Sequence, residues 1–211
     1  GSRGIGAATV RLAVQLGAKV ILHYGQSLLA AEEIGRELGE INCRLIPADL
    51  SKAGAATSLW EEACAWTGRI DVLVNNAGVY EPAQNDLPLE RWQRAWARTL
   101  QINLVAPAEL CRAAANHFNT QGEGIIINVS SRSAFRGELP EYAHYAASKG
   151  GINAFIRTAA LELARENITV NGIEPGYIRT AAMELLADEE GLAQMTKYIP
   201  SGFMGAPEDI A

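Results

Sequence analysis

The chain has no apolar run approaching the ~18–20 residues of a membrane span, and no signal peptide is visible, so it does not read as a membrane protein. It has no basic block either. Eighteen Lys and Arg are scattered singly and 24 Asp and Glu leave a net charge of −6, which argues against a nucleic-acid binder. Cysteine is scarce and odd in number: Cys43, Cys64 and Cys111 stand far apart, which implies no disulfide framework. Each reads as a small buried hydrophobe, in keeping with a reducing cytoplasm. His23, His117 and His144 show no ligand spacing with one another or with cysteine, so no metal is expected. Repeats, low-complexity tracts and linkers are lacking. So is a strand ahead of the opening glycine turn. The chain stops at Pro207-Glu-Asp-Ile-Ala211, which reads as the first turn of a helix, and the expectation is a fragment.

What is there is an ordinary globular composition. With 211 residues, 48% apolar and 20% charged, one domain over 1–211 with a real core is expected. Short apolar runs alternate with helical patterns: strands at Lys19–Tyr24, Cys43–Ala48, Ile70–Val74, Gly124–Val129 and Ile168–Ile173, with helices between. Helices are read at 7–16, 28–39, after Asp49-Leu50-Ser51 through Ala65, as a pair within 87–119, and from Tyr145 to about Arg165. Residues 181–204 read as a small helical lobe. About six strand–helix repeats with right-handed crossovers predict α/β architecture, a doubly wound parallel sheet with helices on both faces.

Chemistry-bearing residues fall at the ends of these strands. Gly1-Ser2-Arg3-Gly4-Ile5-Gly6 runs into an Ala-rich helix, and glycines at a helix mouth let an anion approach the first-turn N–H groups. The plain alternative is a glycine turn. At the end of the second strand of a dinucleotide fold an acid holds the ribose of NAD. Here His23, Tyr24, Gly25, Gln26 and Ser27 carry no carboxylate, and Arg3 supplies positive charge, so NADP is favoured over NAD. Asp49, Leu50 and Ser51 follow the third strand, where Asp49 reads as a helix cap, an adenine contact or both. Asn75-Asn76-Ala77-Gly78 ends the next strand, either as a turn or at a ligand-binding sheet edge. Asn103 lies inside a helix, where it costs propensity, and its role is open.

Gly124–Val129 is the clearest buried strand, and Ser130-Ser131 follows it. Fourteen positions after Ser131 comes Tyr145-Ala-Ala-Ser-Lys149. On a helix Tyr145 and Lys149 share a face, so the ammonium can act on the phenol and lower its pKa from ~10 toward the range useful for proton transfer. A chance i, i+4 pair is the plain alternative. His144 points to a different face.

Together these motifs resemble the short-chain dehydrogenase/reductase family: the glycine turn, Asn75–Gly78, Asn103, Ser131, the Tyr145–Lys149 pentad and Pro175-Gly176 occur in its order and near its spacings. The resemblance implies a Rossmann-type fold, a nicotinamide cofactor and a catalytic set of Asn103, Ser131, Tyr145 and Lys149. Tyr145 would be the general acid/base, Lys149 would tune it and bond the nicotinamide ribose, Ser131 would bond the substrate oxygen, and Asn103 would position a relay water. It also places Gly4, Ile5 and Gly6 with Ser2 under the pyrophosphate, and Arg3 at a basic position associated with NADP. Tyr24 and Ser27 would lie near the ribose, with Asp49 and Leu50 at the adenine and Asn75, Ala77 and Gly78 along the adenosine. Pro175, Gly176, Ile178 and Thr180 would contact the carboxamide end.

Two departures stand out. The family's Thr-Gly and first strand would precede Gly1, and its final strand is missing. Ala134 stands where a glycine often follows the serine, and the Ser131–Tyr145 gap is one residue longer than common, with Ser130 a second candidate serine. The expected function is NADP(H)-dependent hydride transfer on a carbonyl or secondary alcohol, for instance a 3-oxoacyl thioester. The alternatives are an NAD-dependent alcohol, sugar or polyol dehydrogenase, or a cofactor sensor without turnover. Arg132, Arg136 and Arg179 would meet an anionic substrate or simply be solvated. The partners implied are a small-molecule substrate and further copies of the chain, as a dimer or tetramer.

Overall fold

In the computed structural model the protein is described over residues 1–181, 183 and 189–211. Part of the expected lobe at 181–204 therefore lies outside the described residues. The chain divides into two compact units, Gly1–Pro47 with Pro175–Ala211, and Ala48–Glu174.

The first unit is a strand–helix–strand piece. Helix α1 (Gly4–Gln15) starts three residues earlier than the Ala-rich pattern suggests, inside the glycine turn, because Gly4 takes φ +51 and lets the chain enter the helix abruptly. It ends as expected at Gly17, whose φ of +89 allows Gly17 N–H and Ala18 N–H to bond Val14 and Ala13 carbonyls. Strands β1 (Val20–Tyr24) and β2 (Cys43–Pro47) pair in parallel, Val20 opposite Cys43, with α2 (Leu28–Leu38) between them in sequence. Their core joins Ala7 and Val10 of α1, Leu22 of β1, Ala31 and Ile34 of α2, and Cys43. Glu189–Thr196 is helical, and a 3₁₀ turn at Pro207–Asp209 packs on α1.

The second unit holds a parallel sheet in the order β3 (Val72–Asn75), β4 (Gly124–Val129), β5 (Ile168–Ile173). Helices α3 (Ala55–Thr67) and α5 (Ala106–Gln121) pack together, and α5 covers β3 and β4. α4 (Leu89–Leu100) and the short α6 (Ser133–Arg136) pack on α7 (Ala143–Leu163), which lies on β5. Parallel strands joined through helices make this a Rossmann-type α/β fold.

Three local readings shift. The third helix starts at Ala55 behind Gly54, so Asp49 and Ser51 do not cap it: Asp49 Oδ1 instead accepts the Ser51 N–H at 3.1 Å and hydroxyl at 2.6 Å in a local turn. The two helices expected within 87–119 form one helical run, α4 passing through a π turn (Gln101–Val105) into α5. The apolar run of β4 reads as buried throughout, yet it alternates: Gly124, Ile126 and Asn128 face inward while Ile125 is 43% exposed, since successive side chains take opposite faces.

Phe118 of α5 is fully buried, edge-on to Trp60 of α3 at 6.1 Å, and sits against the start of β4. A Cβ at Gly124 would fall 2.1 Å from its ring. Gly124→Ala is therefore expected to cost about 1–3 kcal/mol by overpacking. Urea titration should show a lower midpoint at unchanged slope.

Candidate active site

The second unit brings the expected catalytic set together. The π turn holds one extra residue per turn, and such turns re-aim a side chain. Here it buries Asn103, whose Oδ1 accepts the Val79 N–H at 2.9 Å while Nδ2 donates to the Val79 carbonyl at 3.0 Å. Nδ2 also reaches Ser148 Oγ at 3.2 Å. The interior Asn is thus neither solvated nor bonded to its own helix: it replaces a backbone partner for the segment after β3.

Along that segment Asn75 turns inward. Its Nδ2 donates to Asn128 Oδ1 at 2.9 Å and to Cys111 Sγ at 3.3 Å, tying β3 to β4 and α5. Leu50 is likewise buried, whereas Ala77 is half-buried and Gly78 exposed. A Cβ on Gly78 would stand 3.4 Å from Asn103 Oδ1 and 3.8 Å from Lys149 Nζ, so the glycine leaves open the ground beside the lysine.

The two serines after β4 separate cleanly. Ser130 donates to the Lys149 carbonyl at 3.3 Å, against α7. Ser131 is the one that acts on the Tyr145 phenol, drawing its pKa down. Tyr145 lies in the first turn of α7, and Lys149 follows one turn on with Nζ 5.7 Å from the ring centroid. The ammonium donates to the Val129 carbonyl at 2.8 Å, and burial pulls its pKa down to about 8. For Tyr145 the direction differs from the sequence expectation. Burial raises the phenol above its usual value; Ser131 and Arg132 oppose this, and Glu138 adds to it. The lysine stands over the ring and bonds a carbonyl, so it does not bring the phenol down.

Further groups gather here that no sequence pattern marked. Tyr80 stacks on Tyr142 at 4.0 Å and meets Tyr145 edge-on at 4.7 Å, and its hydroxyl lies 3.4 Å from Glu138 Oε2. Only the closeness of Tyr142 and Tyr145 in sequence hints at this cluster. His144 points away from it, packing on Trp96 at 5.8 Å.

In the first unit, Ser2 is buried and Arg3 exposed, and the first-turn N–H groups of Gly4, Ile5 and Gly6 open α1 without an acidic residue among them. A Cβ on Gly4 would meet Thr180 Cγ2 at 3.1 Å, so the turn and the Pro175–Thr180 loop converge. Pro175 and Ile178 are buried and Gly176 exposed, with Ile178 bridged to Gly205. Tyr24 packs against the unit's core, and Ser27 precedes α2 without capping it. Taken unit by unit, Gly4 at the mouth of α1 leaves backbone donors open to an anion, and Gly78 in the second unit leaves room beside an ammonium for a hydroxyl oxygen. Among the described residues no group of three or more His, Cys, Asp or Glu could hold a metal, and no helix is long and apolar enough to cross a membrane.

The whole chain, residues 1–211, matches a family model described as enoyl-(acyl carrier protein) reductase. A 3beta-hydroxysteroid dehydrogenase 1 from Eggerthella lenta is 36% identical over 215 residues, spanning 100% of this chain and 80% of the relative. A 3-oxoacyl-[acyl-carrier-protein] reductase from Synechocystis is 34% identical, spanning 100% of this chain and 83% of its own. A 2-dehydro-3-deoxy-D-gluconate 5-dehydrogenase from Escherichia coli is 38% identical, spanning 78% of this chain and 64% of the relative.

The buried lysine makes a pH-dependent contribution to stability. Its folded pKa of about 8 lies below the ordinary 10.5, so between these values the unfolded chain holds a proton that the folded chain has lost, and stability rises with pH. Below about pH 8 the cost of the buried charge is complete, about 3 kcal/mol. Urea unfolding of the cofactor-free protein and of Lys149→Met should show wild type gaining on the variant from about pH 8 to about pH 10.5. A constant difference across that window would refute the burial argument. The carbonyl of Val129, left without its donor in the variant, adds only a pH-independent offset.

Proposed function

The chain belongs to the short-chain dehydrogenase/reductase family, oxidoreductases of the carbonyl/CH–OH couple that work with a nicotinamide cofactor, and on that premise we propose that it is an NADP(H)-dependent carbonyl reductase in which Tyr145 delivers the proton. The observation that carries this reading is the gathering of the Tyr145 phenol, the buried Ser131 just after β4 and the buried Lys149, whose Nζ lies 5.7 Å from the tyrosine ring one helical turn away. A nicotinamide cofactor, when bound, would supply the hydride. Negative charge then grows on the substrate oxygen, and a proton donor aimed at that oxygen stabilises the transition state more than the ground state. A phenol whose pKa is raised by burial keeps its proton at neutral pH, which suits the acid role in carbonyl reduction.

Ser131 offers the substrate oxygen a second hydrogen bond. Lys149 would bond the ribose from beside Gly78, and Asn103 would hold a water of the proton relay. Ser2, Arg3, Gly4, Ile5 and Gly6 would hold phosphate oxygens, with Thr180 and Ile178 toward the carboxamide. The NADP preference rests on the stretch His23–Ser27, which carries no acid that would repel a 2′-phosphate, and on the exposed Arg3. The names of the relatives support a ketone or β-keto substrate, 3-oxoacyl thioesters among them. They equally support a sterol-like or sugar-acid alcohol, in which case the enzyme would run as an NAD-dependent dehydrogenase. Family membership supports a cytoplasmic dimer or tetramer.

Tyr145→Phe should reduce carbonyl turnover by about 10²–10⁴-fold, the usual weight of a general acid, with the dissociation constant for NADPH nearly unchanged. Reduction that survives this change would overturn the mechanism. Coenzyme choice is checked separately: kcat/KM with NADPH should exceed that with NADH on a panel of ketones, and equal values would remove the NADP assignment alone.

A further inference from the structure

Tyr80 lies in the loop that follows β3, outside every expected site, yet its ring meets that of Tyr145. The two planes stand 86° apart with centroids 4.7 Å apart, an edge-on contact whose attraction depends on orientation. A ring on a loop can hold a neighbour only if it is held itself. Tyr80 stacks on Tyr142, centroids 4.0 Å apart and planes 3° apart, and its hydroxyl lies 3.4 Å from Glu138 Oε2. The residue before it, Val79, has its N–H and its carbonyl both bonded to the Asn103 side chain, at 2.9 and 3.0 Å. Further along, the Ala83 N–H donates to the Glu141 carbonyl at 2.8 Å, which ties the loop to the 3₁₀ turn Pro140–Tyr142 leading into α7. The loop is thus pinned on both sides of Tyr80, and the ring is fixed at its face and at its hydroxyl.

We infer that Tyr80 is a positioning residue for the proton-transfer step, its ring covering and orienting the ring of Tyr145. The inference rests on the reading of Tyr145 as the acid. Asn103, through Val79, sets the backbone from which Tyr80 reaches Tyr145. The charged and titratable groups around Tyr145 are few. Arg132 favours the phenolate, Glu138 opposes it, and Lys149 stands over the ring with Nζ 5.7 Å from its centroid. His144, next to Tyr145 on α7, packs on Trp96 instead. Burial outweighs each of these charges in holding the proton on the phenol, and the Tyr80 ring supplies part of that cover.

The test is a titration that needs no substrate: ultraviolet tyrosinate absorbance against pH, each protein corrected by the same protein carrying Tyr145→Phe. Tyr80→Ala removes the ring and admits water, so the Tyr145 midpoint should fall by about one pH unit, a tenfold gain in ionisation. Its kcat for carbonyl reduction should drop by about two- to tenfold as the acid loses its orientation, with the NADPH dissociation constant unchanged. Tyr80→Phe keeps the ring and loses only the hydroxyl, so midpoint and kcat should stay at the wild-type values. Tyr142→Ala leaves Tyr80 without its stack; it should shift the midpoint in the same sense, and it replaces Tyr80→Ala if that variant does not fold. An unshifted midpoint in Tyr80→Ala, or in Tyr142→Ala as its replacement, would overturn the inference. So would a shift in Tyr80→Phe equal to that in Tyr80→Ala, because the hydroxyl and not the ring would then be acting. Failure of the acid reading looks different: Tyr145→Phe would retain reduction while the midpoints still moved.

Discussion

A lysine that is 5% exposed, with the Val129 carbonyl accepting one N–H of its ammonium, is the constraint to which the second unit is built. A buried cation is expensive unless its donors are met, and the surroundings of Lys149 are arranged to meet them sparingly. The end of β4 supplies Val129 O to the side chain, and Ser130 Oγ then binds the lysine's own carbonyl, fastening α7 to the strand end from both sides. One residue further on, the strand leaves Ser131 at the phenol. The register of β4 against α7 thus decides at once which serine faces Tyr145 and which one is structural.

The π turn plays the matching part on the other flank. By giving Asn103 two bonds to Val79 it holds the segment after β3 at a fixed height, and Gly78 in that segment then lies against Lys149 without a side chain. An Asn inside a helix is unfavourable by propensity, so its presence is accounted for by this long-range pairing. Asn75, the last residue of β3, shows the same economy of means. Its amide serves the core between β3, β4 and α5, which leaves the backbone of Ala77 and Gly78, not the Asn75 side chain, as that segment's face toward a ligand.

Features carried by neighbours in the chain were legible. The glycine turn, the stop at Gly17, the strand Gly124–Val129 and the Tyr145–Lys149 spacing are local patterns, and the structure places them within a few residues of where the patterns lie. What escaped was either a competition between two local uses of the same residue or a pairing across the fold. Asp49 and Ser51 carry a capping signature that a local turn uses instead. The apolar face at Ile125 cannot be distinguished from a buried one by hydropathy alone. Tyr80 and Glu138 are 58 residues apart, and nothing in either neighbourhood announces the other. The sign of the shift at Tyr145 was misjudged because helix spacing gives proximity, while the balance between proximity and desolvation depends on how dry the site is.

That dryness acts with opposite signs on the two groups of the pair. It favours the neutral phenol and the neutral amine alike, since each loses a charge that water would have solvated. With burial holding the lysine near 8 and the phenol above its usual value, raising the pH takes the proton from Lys149 before it takes one from Tyr145. A proton relay through this pair needs the ammonium to keep its charge. An ammonium has three donors, and Val129 accepts one. A ligand that brought hydroxyl oxygens to the open ground beside Gly78 would accept others and restore the charged form. The proton so retained on Lys149 would stay available one helical turn from Tyr145. Ligand binding and the charge of the lysine would thus be coupled, and the absence of a side chain at Gly78 is what leaves room for it.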